Sequence, residues 1–454
     1  MRIASAAGAC PVDFIRVRRR LVVSAAPLSF AMLSLLVACG DNPAPAVPPV
    51  ASPEAGVDAS APPNDDPGAD AGPDASSEGL VGLGRVVRKT MLALSTDRTR
   101  VYGWGSNLNG VYRTGGPSEF GHPVNMDVAG VPKEPFRAVL STGDKTCLLT
   151  EAGRVLCFGR TIAQDSLGVG DDEERAAATP LAAGDIPANV KIVAIDIFAY
   201  GGCVVGDDGE AYCWGDFHRV PDADPARETV TAPHRILRTK IGDAKIVDVT
   251  TGINVSCVLA GGRAYCWFNG DAEPVEAGEL PLETDLLQVR SNDDVVCGVA
   301  NDGEIYCWGS GFGRRFGTGS ADFESDAPYT RVSRVNLPNG VKFKDVAVGG
   351  VAAASCGIGT DGWAYCWGSG RHGAAGDDDT TEHEVLAPKP IVRGDIPESV
   401  TIVRVGCGMY HCTAEGSDHV MYSWGFNEGG VLGASLTLGA EVGHPVRMTT
   451  LEDL

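Results

Sequence analysis

The chain has 454 residues, with 59 acidic against 37 basic side chains and a formal net charge of −22. An acid excess of that size repels nucleic acid phosphates, so a nucleic-acid-binding role is excluded. The eight histidines are scattered and neither GxSxG nor HExxH occurs, so no catalytic residue or cofactor site is read from the chain.

Residues 1–39 read as a targeting segment, to be set aside from the fold. Arg16, Arg18, Arg19 and Arg20 form its positive region, and Leu21 to Val37 its apolar one, interrupted by Ser24, Pro27 and Ser29. That run is short for a spanning helix, which needs about 20 apolar residues. It ends Leu36-Val37-Ala38-Cys39, which resembles the bacterial lipobox. By that resemblance Cys39 becomes a lipidated N-terminus, and several acyl chains on one residue would anchor the protein without a transmembrane helix. The implied location is the cell envelope, on a bacterial membrane, with the outer membrane or cell surface favoured.

Residues 40–79 contain no Leu, Ile, aromatic, Lys or Arg, and are dominated by Pro, Ala and Asp. Such a stretch cannot bury enough apolar surface to fold, and reads as a disordered, extended tether. Residues 1–38 carry five arginines against one aspartate, and 40–79 carry eight acids. The net charge is therefore −26 without the first segment and −18 without both.

From residue 80 to 454 a unit repeats. Short apolar runs end in an aromatic, usually followed by glycine: Trp104-Gly105, Phe158-Gly159, Trp214-Gly215, Trp267-Phe268, Trp308-Gly309, Trp367-Gly368 and Trp424-Gly425. The intervals are 54, 56, 53, 41, 59 and 57 residues. Each unit places a strand, a small-residue turn, a hairpin, a long polar loop and a Pro-headed strand in that order. Pro123, Pro233 and Pro390 head such strands, and proline suits an outer edge because its missing N–H leaves no ladder partner unsatisfied. Four short strands repeated seven times predict an all-β, seven-bladed β-propeller of four-stranded blades. The first unit has no Pro-headed strand before it and the last has His444-Pro445-Val446 after it. The expected closure is therefore pairing of the C-terminal strand with the N-terminal hairpin.

Phrases such as Cys203-Val-Val-Gly-Asp-Asp-Gly-Glu-Ala-Tyr-Cys-Trp-Gly and Leu167-Gly168-Val169-Gly170 followed by Pro180 resemble the regulator-of-chromosome-condensation repeat. Blades three and four depart from it, lacking the loop glycines, and Phe268 replaces the glycine of blade four. The family's namesake is an exchange factor for a small GTPase, a partner that a lipid-anchored, exported protein would not meet. Exported bacterial members include inhibitors of β-lactamase, which use the ring face as a docking surface. The resemblance thus implies a monomeric lipoprotein that binds an unidentified protein, reaching the membrane only through its anchor. The competing readings are a surface enzyme, a glycan lyase or hydrolase with its site in the propeller channel, and a structural envelope component.

Ten of the fourteen cysteines fall into hairpin pairs: Cys147/Cys157, Cys203/Cys213, Cys257/Cys266, Cys297/Cys307 and Cys356/Cys366. Three-residue turns ending in glycine, and the two-residue Gly261-Gly262 turn, set the members of each pair opposite one another. In an oxidising compartment these are expected disulfides; in a reducing one they would be small core side chains between blades. Blade one has Ala93 and Gly103 instead, and in blade seven Ser423 leaves Cys412 to turn to Cys407. Zinc is not expected, since there is no CxxC and no second hairpin placed to complete four ligands. The acidic loops Asp171–Glu174, Asp322/Glu324/Asp326 and Asp377–Asp379 are either a solubilising surface or a recognition face for a basic protein or cation. Asp208-Gly209-Glu210 and Asp302-Gly303-Glu304 are hairpin turns rather than calcium loops. Gly368-Ser-Gly-Arg-His-Gly373 matches a dinucleotide fingerprint only by letter, and Arg393-Gly394-Asp395 recurs as the turn Gly184-Asp185.

Overall fold

The computed structural model describes residues 80–81, 89–107, 111–112, 117–161, 166–216, 219–223, 229–268, 271, 273–309, 316–320, 327–334, 336–350 and 354–449. The targeting segment with Cys39, and the tether to residue 79, lie outside the described residues. Among the described residues no helix is long and apolar enough to cross a membrane.

Seven antiparallel sheets of four strands follow one another in chain order, which is a seven-bladed propeller. Blade two shows the pattern: inner strand Phe136–Ser141, hairpin Lys145–Thr150 and Val155–Gly159, outer strand Arg175–Pro180. The hairpin strand Lys145–Thr150 is buried at every position, because both faces of the blade lie against neighbouring blades. The outer strand keeps a single buried residue, Ala178, and tolerates Pro180 at its edge. Six outer strands shift register beside the repeated aromatic, between Cys157 and Gly159 in blade two and between Ser423 and Gly425 in blade seven. Such a bulge bends the strand and re-aims the aromatic toward the adjacent blade.

The aromatic then joins the blades. Trp104 of blade one donates its indole N–H to the Val431 carbonyl of blade seven at 2.9 Å. Trp424 of blade seven does the same to Ala374 of blade six at 3.0 Å. The glycine that follows each such carbonyl makes room for the ring: a Cβ on Gly433 would lie 2.9 Å from Trp104 Nε1. Where blade three lacks that loop, Trp267 bonds the Arg219 carbonyl at 2.7 Å. Where blade four lacks it, Trp308 approaches Cys266 Sγ at 3.3 Å. Phe158 has no N–H to give, and the carbonyl at the matching place, Val111, accepts the Thr146 hydroxyl at 2.8 Å instead.

Ring closure differs from the expectation. The C-terminal strand Glu441–Arg447 pairs within its own blade, with Met421–Phe426. The outer strand of blade one, Glu119–Asn125, pairs with the N-terminal hairpin strand Val101–Ser106, and Leu80–Val81 supplies the inner strand. Every hairpin is followed by its own outer strand, so no fragment is left over to be shared. The ring closes by side-chain packing: Met91, Ala93 and Trp104 of blade one meet Met421, Val431, Leu432 and Met448 of blade seven. Two backbone bonds, Leu80 N to His419 O and Ser435 N to Gly121 O, both at 3.1 Å, add to it.

The five expected cysteine pairs sit directly opposite, with Cα atoms 4.0–4.2 Å apart and sulfurs at bonding distance: Cys147–Cys157, Cys203–Cys213, Cys257–Cys266, Cys297–Cys307 and Cys356–Cys366. A sixth pair is Cys407–Cys412. Two details of register are corrected. In blade one the residue opposite Gly103 is Leu92, not Ala93, because the turn after Ser95 is one residue longer than in the other blades. There the Tyr112 ring lies where a Gly103 Cβ would be, and takes the place of the sulfurs. In blade seven Ser423 faces Thr413, so Cys412 is one position off the hairpin pairing and faces Cys407 on the inner strand.

If the indole contact closes the ring, Trp104→Ala should destabilise the protein by about 3–5 kcal/mol, the range for emptying a buried aromatic site. Urea denaturation checks this; a loss below about 1 kcal/mol would mean that closure lies elsewhere.

Candidate functional site

Among the described residues two concave places stand out, and they differ in chemistry. The first is the central channel, a cavity of about 310 Å³ lined by inner strands of blades two to seven. Arg137 and Arg404 pair within their own blades, with Glu151 and Glu415, while other polar side chains of the channel are tied across blades. Arg290 of blade five reaches Asp248 of blade four at 2.8 Å. Gln288 donates to Asp345 of blade six at 3.1 Å, and Thr250 to Asp196 of blade three at 3.1 Å. The Thr251 backbone N–H adds a 2.7 Å bond to the same Asp196. Desolvation among the strands pulls the Arg290 pKa down, but the carboxylates of Asp248, Asp345 and Asp196 outweigh it and hold the guanidinium above its ordinary value. The channel polar groups thus staple neighbouring blades.

The second place is a hollow of about 350 Å³ on the face carrying the long loops, between blades seven, one and two. Met409, Tyr410, Phe426 and Val431 form its apolar lining, with Lys89, Glu428 and Asp144 at the edge. Met409 is 41% exposed, high for a large apolar side chain. His372 of blade six stacks on Phe426 with centroids 4.7 Å apart, and meets Tyr410 edge-on at 5.4 Å. Glu441 holds the His372 ring from the other side at 2.7 Å. Lys89 and Glu428 pair at 2.5 Å, a partly exposed bridge of small energetic weight.

At the wall of this hollow lies His411, 2% exposed, with Nε2 lacking a partner among the described residues. Burial alone pushes its pKa down to about 4.

The comparisons agree with this geometry. Over 360 residues, 74% of this chain, the sequence is 25% identical to the E3 ubiquitin-protein ligase HERC2 of Homo sapiens, of which that stretch is 7%. It is 24% identical over 226 residues to the human RCC1-like G exchanging factor-like protein, covering 45% of this chain and 46% of that one. The solved structure of Prp20p from Saccharomyces cerevisiae superposes with a TM-score of 0.66 at 18% identity, covering 79% of this chain and 87% of that chain. The domain is an RCC1-like seven-bladed β-propeller. No protein-family profile matches the chain, and it spans less than half the length of these two curated relatives.

In this RCC1-like propeller several carboxylates of the described acidic loops are partnered by side chains of the same chain. Asp171 pairs with Arg175 at 2.5 Å and Glu174 with Arg160 at 3.1 Å. Asp377 is 3.0 Å from Lys389 and 3.2 Å from His383, and Asp378 is 2.8 Å from His444. Asp322, Glu324 and Asp326 lie outside the described residues. The Asp-Gly turns are committed as well. Asp208 and Asp302 each cap the backbone N–H two residues on and accept the hydroxyl of the tyrosine four residues on, Tyr212 and Tyr306. Burial and that carboxylate push Tyr306 up to about 12. The spacing Asp-x-x-x-Tyr was legible in the sequence and recurs at Asp361-Tyr365 and Asp418-Tyr422. Gly370–Gly373 forms a short 3-10 turn with His372 in the left-handed region, no cradle for a phosphate. Arg393 stacks on Trp363 at 4.1 Å while Asp395 accepts the Arg447 N–H, so that tripeptide is internal structure.

The metal reasoning needs one correction: the sulfurs of Cys356, Cys407 and Cys412 do converge, from two blades. The expectation of no second hairpin overlooked the inner strand of blade seven as a carrier of cysteine. The aromatic cluster at the loop-face hollow was also missed, because Tyr410 before one hairpin strand, Phe426 at the end of the next and His372 of blade six meet only in the folded ring.

His411 makes stability depend on pH. Its folded pKa of about 4 lies below the unfolded value of about 6.5, so between those values the unfolded chain binds more protons. Stability from this group is fully present above about 6.5 and is lost as pH falls toward 4, by up to roughly 3 kcal/mol. Urea midpoints at pH 7 and pH 5 should fall less in His411→Gln than in the wild type. Parallel falls in both proteins would remove the role assigned to His411.

Proposed function

We propose that this chain is a cell-envelope lipoprotein whose propeller is a protein-binding module, docking a partner through the loop face at the hollow between blades seven, one and two. The observation that carries the reading is the contrast between the two cavities. The channel's charged groups have ion-pair partners on this chain, whereas the hollow presents Met409, Tyr410 and Phe426 to an incoming side chain. An apolar depression with aromatic walls and a charged rim is the form a protein hot spot takes. Prp20p, which shares the fold, is described by its binding to Gsp1p and histones, so a protein partner is the class carried over here. The acid loops already have cations on their own chain, so the partner is held chiefly by an apolar or aromatic anchor. Envelope attachment rests on the segment Leu36-Val37-Ala38-Cys39 and on the acidic tether behind it.

The test is affinity capture from envelope extracts with the full chain, followed by titration of the recovered partner. Tyr410→Ala should weaken binding roughly tenfold or more, the loss typical of an aromatic anchor. Recovery of no specific protein, together with turnover of an added glycan, would replace the binding module by an enzyme.

A separate prediction concerns the anchor. Cys39→Ala should move the protein from the membrane fraction to the soluble one. Retention through a high-salt wash would make the lipid assignment wrong.

A further inference from the structure

Five cysteine pairs join the two strands of a hairpin, and each stays within its blade. The sixth is displaced: Cys412 lies one residue before Thr413, the position matching the other hairpin cysteines, and bonds inward to Cys407. The displacement brings two disulfides of different blades into sulfur contact. Cys356 Sγ of blade six lies 3.4 Å from Cys407 Sγ and 3.8 Å from Cys412 Sγ of blade seven. All four sulfurs sit in one apolar cluster with Trp424, Ala374 and Ile402. Cys407 is the most exposed of them at 3%, and it borders the channel cavity.

We propose that Cys356, Cys366, Cys407 and Cys412 form a thiol–disulfide exchange site, entered from the channel by a small thiol, whose product is a bond between blades six and seven. Exchange requires only that a thiolate meet a disulfide sulfur, and it runs through a mixed disulfide. The incoming thiolate attacks Cys407 Sγ, forming a mixed disulfide there, and the Cys407–Cys412 bond breaks with Cys412 leaving as thiolate. That thiolate is already beside Cys356 Sγ. It attacks, the Cys356–Cys412 bond forms, and Cys366 leaves as thiolate and takes a proton. A second equivalent of small thiol clears Cys407 and departs as the oxidised dimer. Two disulfides become one, two electrons come from the small thiol, and the remaining bond now joins blades that no covalent bond linked before. Proximity makes the second step intramolecular, so it outpaces attack by free thiol. None of the other four hairpin pairs has a sulfur of another blade placed for this step in the contacts of the described residues.

The full-length oxidised chain is treated with limiting glutathione, quenched with an alkylating agent and mapped by mass spectrometry without reduction. The expected result is a Cys356–Cys412 peptide, with Cys366 and Cys407 alkylated together while Cys147–Cys157 stays intact. Independent opening of Cys407–Cys412 and Cys356–Cys366, with no cross-blade peptide, overturns the proposal. Cys366→Ser supplies a second arm, since it frees Cys356 without any added thiol. Its thiolate faces Cys407 at 3.4 Å, so a Cys356–Cys407 bond should appear in folded protein, with Cys412 alkylated. A folded variant, by circular dichroism, that keeps Cys407–Cys412 and an alkylatable Cys356 also overturns it.

Discussion

The structure depends on one contact made repeatedly: an aromatic at the end of each hairpin, in six blades beside a bulge, that docks on the preceding blade. A blade cannot bury both of its faces alone, so stability resides in these joints and in the apolar surfaces they align. The indole supplies area and one N–H, and the preceding loop supplies one carbonyl and, beside it, a glycine whose missing Cβ leaves room for the ring. Trp104 on Val431 is the same joint as Trp424 on Ala374, and this lets the first and last blades meet without sharing a strand. The exceptions keep the hydrogen-bond account balanced. Trp267 and Trp308 find a different acceptor, and the carbonyl left by Phe158 is taken up by Thr146.

The cysteines act inside this frame rather than between its parts. A hairpin disulfide ties two adjacent strands that the ladder already holds, so it stiffens a blade and leaves the joints to packing. Blade one, with Leu92 opposite Gly103 and Tyr112 laid over it, does the same work with a ring. Blade seven departs from the hairpin pairing: its bond joins the inner strand to the hairpin, still within the blade, and sets its sulfurs against Cys356 of the neighbouring blade.

Polar chemistry is distributed unevenly over the ring. In the channel, inner strands from different blades face one another at close range, and a buried charge there is tolerable only when paired. Arg290, Asp248, Asp345 and Asp196 satisfy each other accordingly, which gives the channel a structural role. On the loop face the turns are longer, the side chains come from three blades, and Tyr410, Phe426 and Met409 have no such obligation. The place suited to a partner is therefore the loop-face hollow.

By itself the sequence determined the blade count, the strand order within a blade, five cysteine pairings and the internal use of the Asp-Gly turns. These are local properties, set by alternation, turn length and a recurring spacing, and each can be read within one hairpin such as Cys147 to Cys157. Ring closure, the sulfur cluster at Cys356 and the aromatic hollow were decided only in the tertiary structure. Each depends on which residues of distant blades the ring sets side by side. Spacing carries no record of that, and a one-residue change in turn length, as after Ser95, shifts every pairing beyond it. Residues 1–79 are a different case, because they were read from composition and a lipobox-like segment alone and lie outside the described residues.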